Sequence, residues 1–274
     1  MKKISVAIPC YNSSGYIINA LKYPVLDDRI SEIVIVDDCS NDYEELKKIV
    51  ASLNSEKIKL YRNEKNSGGC YLNKYYATRF ATNEWVILFD SDNIFGKEYI
   101  DALYEQKEWK PDTIYCASSG QSLPHFMWSD FTPKPISLHD FKETLGKKNI
   151  RINLLKKHFY KLFFKLPGFL KSVISRSLLM NSSSRFLALM NDCNFFIHKD
   201  TYISVHEQSQ KINVNPYAAD TILVNYIWLK NKKLLQVVPK MSYYHTVHPD
   251  SFWVKTVENY EKTVAWIISD LHKN

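Results

Sequence analysis

The sequence predicts an α/β protein, a mostly parallel sheet flanked by helices and interrupted by a basic helical insertion. Three observations carry that expectation. Short runs of branched and aromatic residues alternate with longer helix-like stretches over the first hundred residues, the pattern of βαβ units. The loops that follow those runs are rich in Asp, Asn, Ser and Gly, as turns are where strands leave a sheet. Residues 144–191 hold ten Lys or Arg and no Asp or Glu, unlike any other part of the chain.

The elements follow in order. Ile4–Ile8 is an apolar run ending at Pro9, and residues 14–24 read as a helix closed by Pro24. Ile33–Val36 is a second buried strand ending at Asp37 and Asp38. Asn41 or Asp42 is placed to cap the next helix, which runs toward Leu53. Lys57–Tyr61 is a third strand, Gly68 and Gly69 open a helix toward Phe80, and Trp85–Phe89 is a fourth strand. Right-handed crossovers then bring the strand ends to one edge of the sheet. Beyond Tyr99 the pattern loosens. Pro111–Cys116 reads as strand, residues 120–140 with three prolines as loop, and 150–190 as basic amphipathic helix broken at Pro167 and Gly168. Asp192–Ile197 reads as a return strand, Ala218–Lys230 as helix, and Leu234–His245 as one or two strands. The expected organisation is one domain in three parts: a nucleotide-binding half at 1–116, a loop and basic segment at 117–190, and a second half at 191–274.

Composition narrows the classes. A chain of 274 residues suits one large α/β domain. No apolar stretch is long enough to span a bilayer, and Met1-Lys2-Lys3 leads directly into a strand rather than a signal-peptide core. The expected location is the cytoplasm, with peripheral attachment to the inner face of the membrane as an extension. The five cysteines form no C-x-x-C pair, which argues for free thiols and against structural zinc. The net charge is +7, yet the 144–191 block alone is +10, so the remainder is −3 and the basicity belongs to one segment. Lys interleaved with Leu, Phe and Tyr over 150–176 suits an anionic membrane surface. A solvated helix whose apolar face covers the sheet suits it as well. No nucleic-acid motif accompanies the charge, and nucleic acid is not an expected partner.

The chemistry concentrates at strand ends. Trp85–Phe89 runs into Asp90-Ser91-Asp92, two carboxylates one residue apart where ligands of open α/β sheets bind. Such a pair can hold a hard divalent cation, and the cation a diphosphate. A plain strand-end turn explains the same residue types. The other loops add Pro9-Cys10-Tyr11-Asn12, Asp37–Asp42, and Asn63–Gly69. Together these offer an aromatic face, an acceptor for a base N–H, a glycine helix start and a cation dyad.

At this point the chain resembles the inverting family 2 glycosyltransferases of the GT-A type, whose sheet is Rossmann-like. The resemblance rests on Val6–Asn12, Ile33–Asp42, Asn66–Tyr76 and Trp85–Asn93, in the family's order and spacing. It implies a nucleotide-sugar donor, with UDP foremost, and Mn²⁺ or Mg²⁺ as cofactor. The acceptor it implies is a glycan or glycolipid hydroxyl, in bacterial surface polysaccharide synthesis. It further implies that Pro9, Tyr11, Asn12, Asp38, Asn66, Gly68, Gly69, Lys74, Asp90 and Ser91 surround the nucleotide. Tyr11 would flank the base and Asp38 the uracil or ribose, unless Asp38 serves only as a helix N-cap. Asp92, with Asp90, would coordinate the cation. Asp220 in Pro216–Leu223 would be the catalytic base, worth about 10²–10⁴-fold, or would only stabilise its helix terminus. Asp192 is a rival base or a ligand of acceptor or donor sugar, and Trp253 a further sugar contact. At most one of His245 and His248 would add a cation or diphosphate ligand, since alternation along a strand sends them to opposite faces. The chain departs from the family in carrying Asn73-Lys74 where arginine and asparagine are usual, and Asn93 where a third Asp is common. A sugar-phosphate nucleotidyltransferase would need a glycine-rich triphosphate loop after the first strand, which Pro9–Asn12 is not. An inactive nucleotide- or glycan-binding scaffold would keep the fold without metal-dependent nucleotide binding.

Overall fold

The computed structural model describes residues 2–120, 126–127, 134–146, 193–214, 220–246 and 252–273; at 120, 126–127, 144–146, 220 and 252–261 this covers the backbone only. The first half alternates β1 (Ile4–Cys10), α1 (Ser14–Leu21), β2 (Ile30–Asp37), α2 (Tyr43–Ser52), β3 (Ile58–Arg62), α3 (Cys70–Phe80) and β4 (Trp85–Leu88). Then come β5 (Ile94–Phe95), α4 (Lys97–Tyr104), β6 (Thr113–Gly120), β7 (Phe126–Met127) and α5 (Leu138–Gly146). The last part holds β8 (Phe195–His198), α6 (Lys199–Gln210), α7 (Asp220–Lys230), β9 (Leu234–Tyr244) and α8 (Phe252–Leu271). The strands form one mixed sheet in the order β3-β2-β1-β4-β8-β6-β9-β5, with β7 against β6.

Period-two alternation explains why the central strands are continuous apolar runs: both of their faces are covered. Ala7, Val34, Val36, Val86 and Leu88 join one core, built with residues of α3, α6 and α7 such as Ala77, Tyr202 and Trp228. Their neighbours Val6, Ile8, Ile33, Ile35 and Ile87 join the other, with Ile17 and Leu21 of α1 and Ile100 and Leu103 of α4.

Register sets the rim. β1, β2, β3 and β4 are parallel, and Cys10 pairs with Asp37, which pairs with Arg62. The loops after three strands therefore leave the sheet side by side. β8 runs antiparallel to β4, with Leu88 opposite Phe195, so the start of β8 lies beside the end of β4. β5 pairs with the end of β9, Ile94 opposite Tyr244, and brings the residues after β9 to the same rim.

Several expectations are corrected. The 120–140 stretch is not all loop: β7 lies within it, and α5 starts at Leu138 behind Ser137, whose N–H and hydroxyl both donate to Asp140 Oδ2 at 2.8 and 2.6 Å. Helices α4, α6 and α8 were not foreseen from the pattern. Leu234–His245 is a single strand that ends at Tyr244; Lys240 at φ 64° coincides with a register shift against β6, the mark of a bulge. His245 thus follows the strand, and the alternation argument that opposed it to His248 does not apply. The boundary expected at 116/117 falls inside β6. The basic insertion at 150–190 lies outside the described residues.

Candidate active site

The loops after β1 and β2 clasp each other. Asn12 adopts φ 49°, a left-handed conformation that Asn tolerates better than most residues. Its N–H donates to Ser40 Oγ at 2.8 Å, and its Oδ1 accepts from the Asn41 N–H at 2.9 Å. Tyr11, beside it, is 49 % exposed at the rim, where a flat base could lie against it. Pro9 is buried within β1, in register with Val36, so it shapes the strand end rather than facing the rim. Beneath the clasp, buried Asp37 accepts from the Ser40 N–H at 3.1 Å and pairs with Arg62 at 3.4 Å.

Asp38 organises the next loop. Its Oδ1 accepts from Asn63 Nδ2 at 2.8 Å and the Ser67 N–H at 2.9 Å, and its Oδ2 from Ser67 Oγ at 2.8 Å. Asn66 Nδ2 donates to the Asp38 carbonyl at 2.9 Å, and Asn66 Oδ1 accepts from the Gly68 N–H at 2.8 Å. The chain then turns through Gly68 at φ 87° and Gly69 at φ 150°, values that side-chain-bearing residues rarely adopt, into α3. Asp38 is therefore not a helix cap: the N-cap position of α2 is Asp42. Asn73, buried in α3, donates to the carbonyls of Val36 at 2.9 Å and Cys10 at 3.3 Å, tying the helix to both strand ends.

Asp90 sits two residues past β4. Cys193 Sγ donates to its Oδ1 at 2.7 Å, and Asn194 Nδ2 and Asn93 Nδ2 approach its Oδ2 at 3.3 and 3.4 Å. Asn194 Oδ1 accepts in return from the Asp90 N–H at 3.0 Å, and Thr246 N–H donates to Asn93 Oδ1 at 2.9 Å. Although 30 % of the Asp90 side chain is reached by solvent, the carboxylate lies on a protein-lined floor. That desolvation pushes its pKa above the usual carboxylate range, Lys74 pulls it down, Asp92 pushes it up, and His245 pulls it down. Asp92 is half-buried beside it, while Ser91 turns inward and donates to Ser13 Oγ at 2.9 Å.

The second half reaches this floor through α7. Lys74, 6 % exposed, donates from Nζ to Thr221 Oγ1 at 3.2 Å and stands 4.0 Å from Asp90 Oδ1. Thr221 is the residue after Asp220, the first of α7, so the helix carrying the expected base starts beside the carboxylate dyad. The Asp220 side chain, Asp192 and His248 lie outside the described residues, as does the Trp253 side chain; the Trp253 backbone is in the first turn of α8. Sequence reasoning missed Cys193 and Asn194 at the site, and gave Asn63 and Thr221 no role of their own within the segments it singled out.

A divalent cation fits the donor chemistry at this floor in part. Asp90 and Asp92 supply oxygens, and His245 is within electrostatic reach. Among the described residues no three His, Cys, Asp or Glu side chains are grouped to hold a metal by themselves. Phosphate oxygens and water would have to complete the shell, as is usual for Mg²⁺.

Comparison with known proteins places this geometry. The profile described as "Glycosyl transferase family 2" matches residues 5–162. The chain belongs to that family. This family 2 chain is 32 % identical over 141 residues to the poly(ribitol-phosphate) beta-N-acetylglucosaminyltransferase TarS of Staphylococcus aureus, covering 49 % of itself and 24 % of TarS. It is 31 % identical over 125 residues to the putative colanic acid biosynthesis glycosyl transferase WcaA of Escherichia coli, covering 44 % of itself and 39 % of WcaA. It thus spans well under half the length of either relative. The crystal structure of S. aureus TarS 1-349 in complex with UDP-GlcNAc superposes over 92 % of this chain and 60 % of that one, with TM-score 0.58 and 21 % identity. The fold of the family 2 chain is the expected GT-A arrangement, a mostly parallel sheet flanked by helices.

Proposed function

We propose that this family 2 chain moves a sugar from a nucleoside diphosphate, with UDP foremost, to a hydroxyl of a glycan or lipid-linked glycan. The observation that carries the reading is the meeting of Asp90, Lys74 and Thr221, which sets the start of α7 against the carboxylate dyad. The TarS complex with UDP-GlcNAc supports a UDP-sugar donor, and the names of TarS and WcaA support a role in surface polymer synthesis.

In this reading Tyr11 flanks the base, and Asn12, Asp38, Asn66, Gly68 and Gly69 frame the nucleotide. Asp90 and Asp92 would hold Mn²⁺ or Mg²⁺, which when bound would supply charge neutralisation for the departing diphosphate. Lys74 adds a fixed positive charge on the same floor. Asp220 accepts the proton of the acceptor hydroxyl as its oxygen bonds to the anomeric carbon. The bond from that carbon to the diphosphate oxygen breaks on the opposite face, so configuration inverts. His245, or His248 in its stead, assists the cation or diphosphate in this reading; Asp192 and Trp253 are assigned to sugar or acceptor on sequence alone. The 150–176 segment is assigned to an anionic membrane surface, where a lipid-linked acceptor would lie, with the enzyme on the cytoplasmic side. Among the described residues no helix is long and apolar enough to cross a membrane.

The test is a thermal-shift screen of UDP-sugars with and without Mn²⁺, followed by calorimetry. A cognate donor raises the melting temperature in proportion to RT ln(1 + [L]/Kd). Saturating UDP-sugars and Mn²⁺ without any shift or measurable heat would leave only the scaffold reading.

A further inference from the structure

We propose that Lys74 and Thr221 form a tether that positions α7, so that the donor floor and the base-bearing helix act as one unit. The proposal rests on the transferase reading and adds positioning residues to it. Lys74 belongs to α3, in the first half of the chain, and Thr221 to α7, 147 residues later. Both side chains are buried, Thr221 at 1 % and Lys74 at 6 % exposure. Burying an ammonium is costly unless charge and hydrogen bonds compensate it. Here Asp90 supplies charge at 4.0 Å and Thr221 Oγ1 an acceptor at 3.2 Å. The ammonium thus has a reason to stay, and while it stays it holds the first turn of α7 at the carboxylate floor.

The far end of α7 is secured separately. Tyr226 OH donates to Asp270 Oδ2 of α8 at 2.6 Å, and Lys230 Nζ to the same oxygen at 2.7 Å. Trp228 of α7 is buried in the core. Loss of the Lys74–Thr221 bond therefore loosens the start of α7 at Asp220 and Thr221, while Ile222 and Val224 stay in the core and hold the rest of the helix. The backbone of Asp220 moves with that end. A base displaced by a fraction of a bond length from an attacking hydroxyl loses rate while the donor still binds. Lys74 acts on the reaction in two ways: as charge on the floor, and through Thr221 as a positioning residue for Asp220. Thr221 acts only in the second way, so substitutions there isolate the tether.

The experiment compares wild type, Thr221→Val and Thr221→Ser. Val keeps the shape and removes the acceptor; Ser keeps the oxygen. Amide hydrogen exchange of the free protein is followed at Leu223 and Val224, the first amides of α7 with intrahelical acceptors, and, as an internal control, at 227–230. Steady-state UDP release is measured from UDP-GlcNAc and from UDP-glucose with Mn²⁺. Thr221→Val is expected to exchange faster at 223–224 and as wild type at 227–230, to lose kcat by roughly 10- to 100-fold, and to keep the donor KM. Thr221→Ser is expected to restore both readouts. Wild-type exchange at 223–224 in Thr221→Val overturns the tether, and so does wild-type kcat in that variant. If the wild type releases UDP from neither sugar nucleotide and fails to bind UDP with Mn²⁺, the transferase reading falls, and the exchange comparison alone decides the tether.

Discussion

Asp42 stands at the N-cap position of its own helix, α2, yet its carboxylate serves another: Oδ2 accepts the backbone N–H of Ser14, the first residue of α1, at 2.8 Å. The bond joins two loops that also share the Asn12–Ser40 and Asn12–Asn41 contacts. Asp42→Ala should cost about 0.5–2 kcal/mol, the usual value of a lost cap, measured as a fall in the urea midpoint without change in slope. Asp42→Asn should recover most of it, since the amide oxygen remains an acceptor.

Asp92 is half-buried and next but one to the desolvated Asp90. Asp92→Asn should leave the melting temperature of the free protein close to wild type, because it removes a like charge beside Asp90 while keeping the shape of the side chain. The same change should remove the Mn²⁺-dependent part of UDP affinity. Calorimetry with and without Mn²⁺ reads both; a variant that keeps the full metal increment places the cation elsewhere.

Asn73 spans two strand ends from inside α3, donating to Val36 and Cys10 carbonyls and accepting from Asn63 Nδ2 at 3.2 Å. Asn73→Ala removes all three contacts, although the Cys10 carbonyl keeps the Asp38 N–H and Asn63 Nδ2 keeps Asp38 Oδ1. A loss of about 0.5–1.5 kcal/mol per hydrogen bond removed follows. Because Asn63 also holds Asp38, UDP affinity should weaken in the same variant; unchanged affinity would separate this network from the nucleotide.

The sequence displayed β1, β2 and β4 because both faces of each are buried, which leaves apolar runs; β3, at the sheet edge, was legible instead from the alternation Ile58-Lys59-Leu60. It hid α6 for the opposite reason. The inward face of that helix is Tyr202, Val205, His206 and Ser209, correctly spaced but half polar. α5 was announced by Ser137-x-x-Asp140, a capping pattern overlooked among prolines. Of the site, Asp90 and Asp92 were legible from the abrupt end of an apolar strand. Cys193 and Asn194 were not, because only the antiparallel placement of β8 against β4 brings the start of one beside the end of the other. Thr221 was invisible for the same kind of reason: its partner is 147 residues away.

The ten basic residues of 144–191, with no acidic neighbour in that stretch, lead to a binding prediction. The protein should float with vesicles rich in anionic lipid at low salt and release as salt screens the charge. Charge reversal at Lys156, Lys157 and Lys161 should abolish flotation. A wild-type protein that stays at the bottom of the gradient at low salt removes the membrane assignment.

Opposite the rim, Asp27, Arg29 and Tyr23 give stability a dependence on pH at both ends. Arg29 donates to Asp27 Oδ2 at 2.6 Å and to Asp101 at 2.7 Å, and Tyr23 OH donates to Asp27. Hydrogen bonds from Arg29 outweigh desolvation and hold the Asp27 pKa well below its usual value. The folded state thus prefers the carboxylate, so this contribution is complete above the unfolded pKa of about 3.9. It fades as pH falls through and below that value. Desolvation first, and the Asp27 carboxylate second, push Tyr23 up to about 12. Its neutral form is the one the fold accepts, so its contribution is complete below the unfolded pKa of about 10 and is lost as pH rises from there toward 12. Urea denaturation across pH should show both limbs. Asp27→Asn should flatten the acid limb, and Tyr23→Phe should flatten the alkaline one while leaving the acid limb in place. Acid and alkaline limbs of wild-type steepness in both variants would show that other groups set the profile.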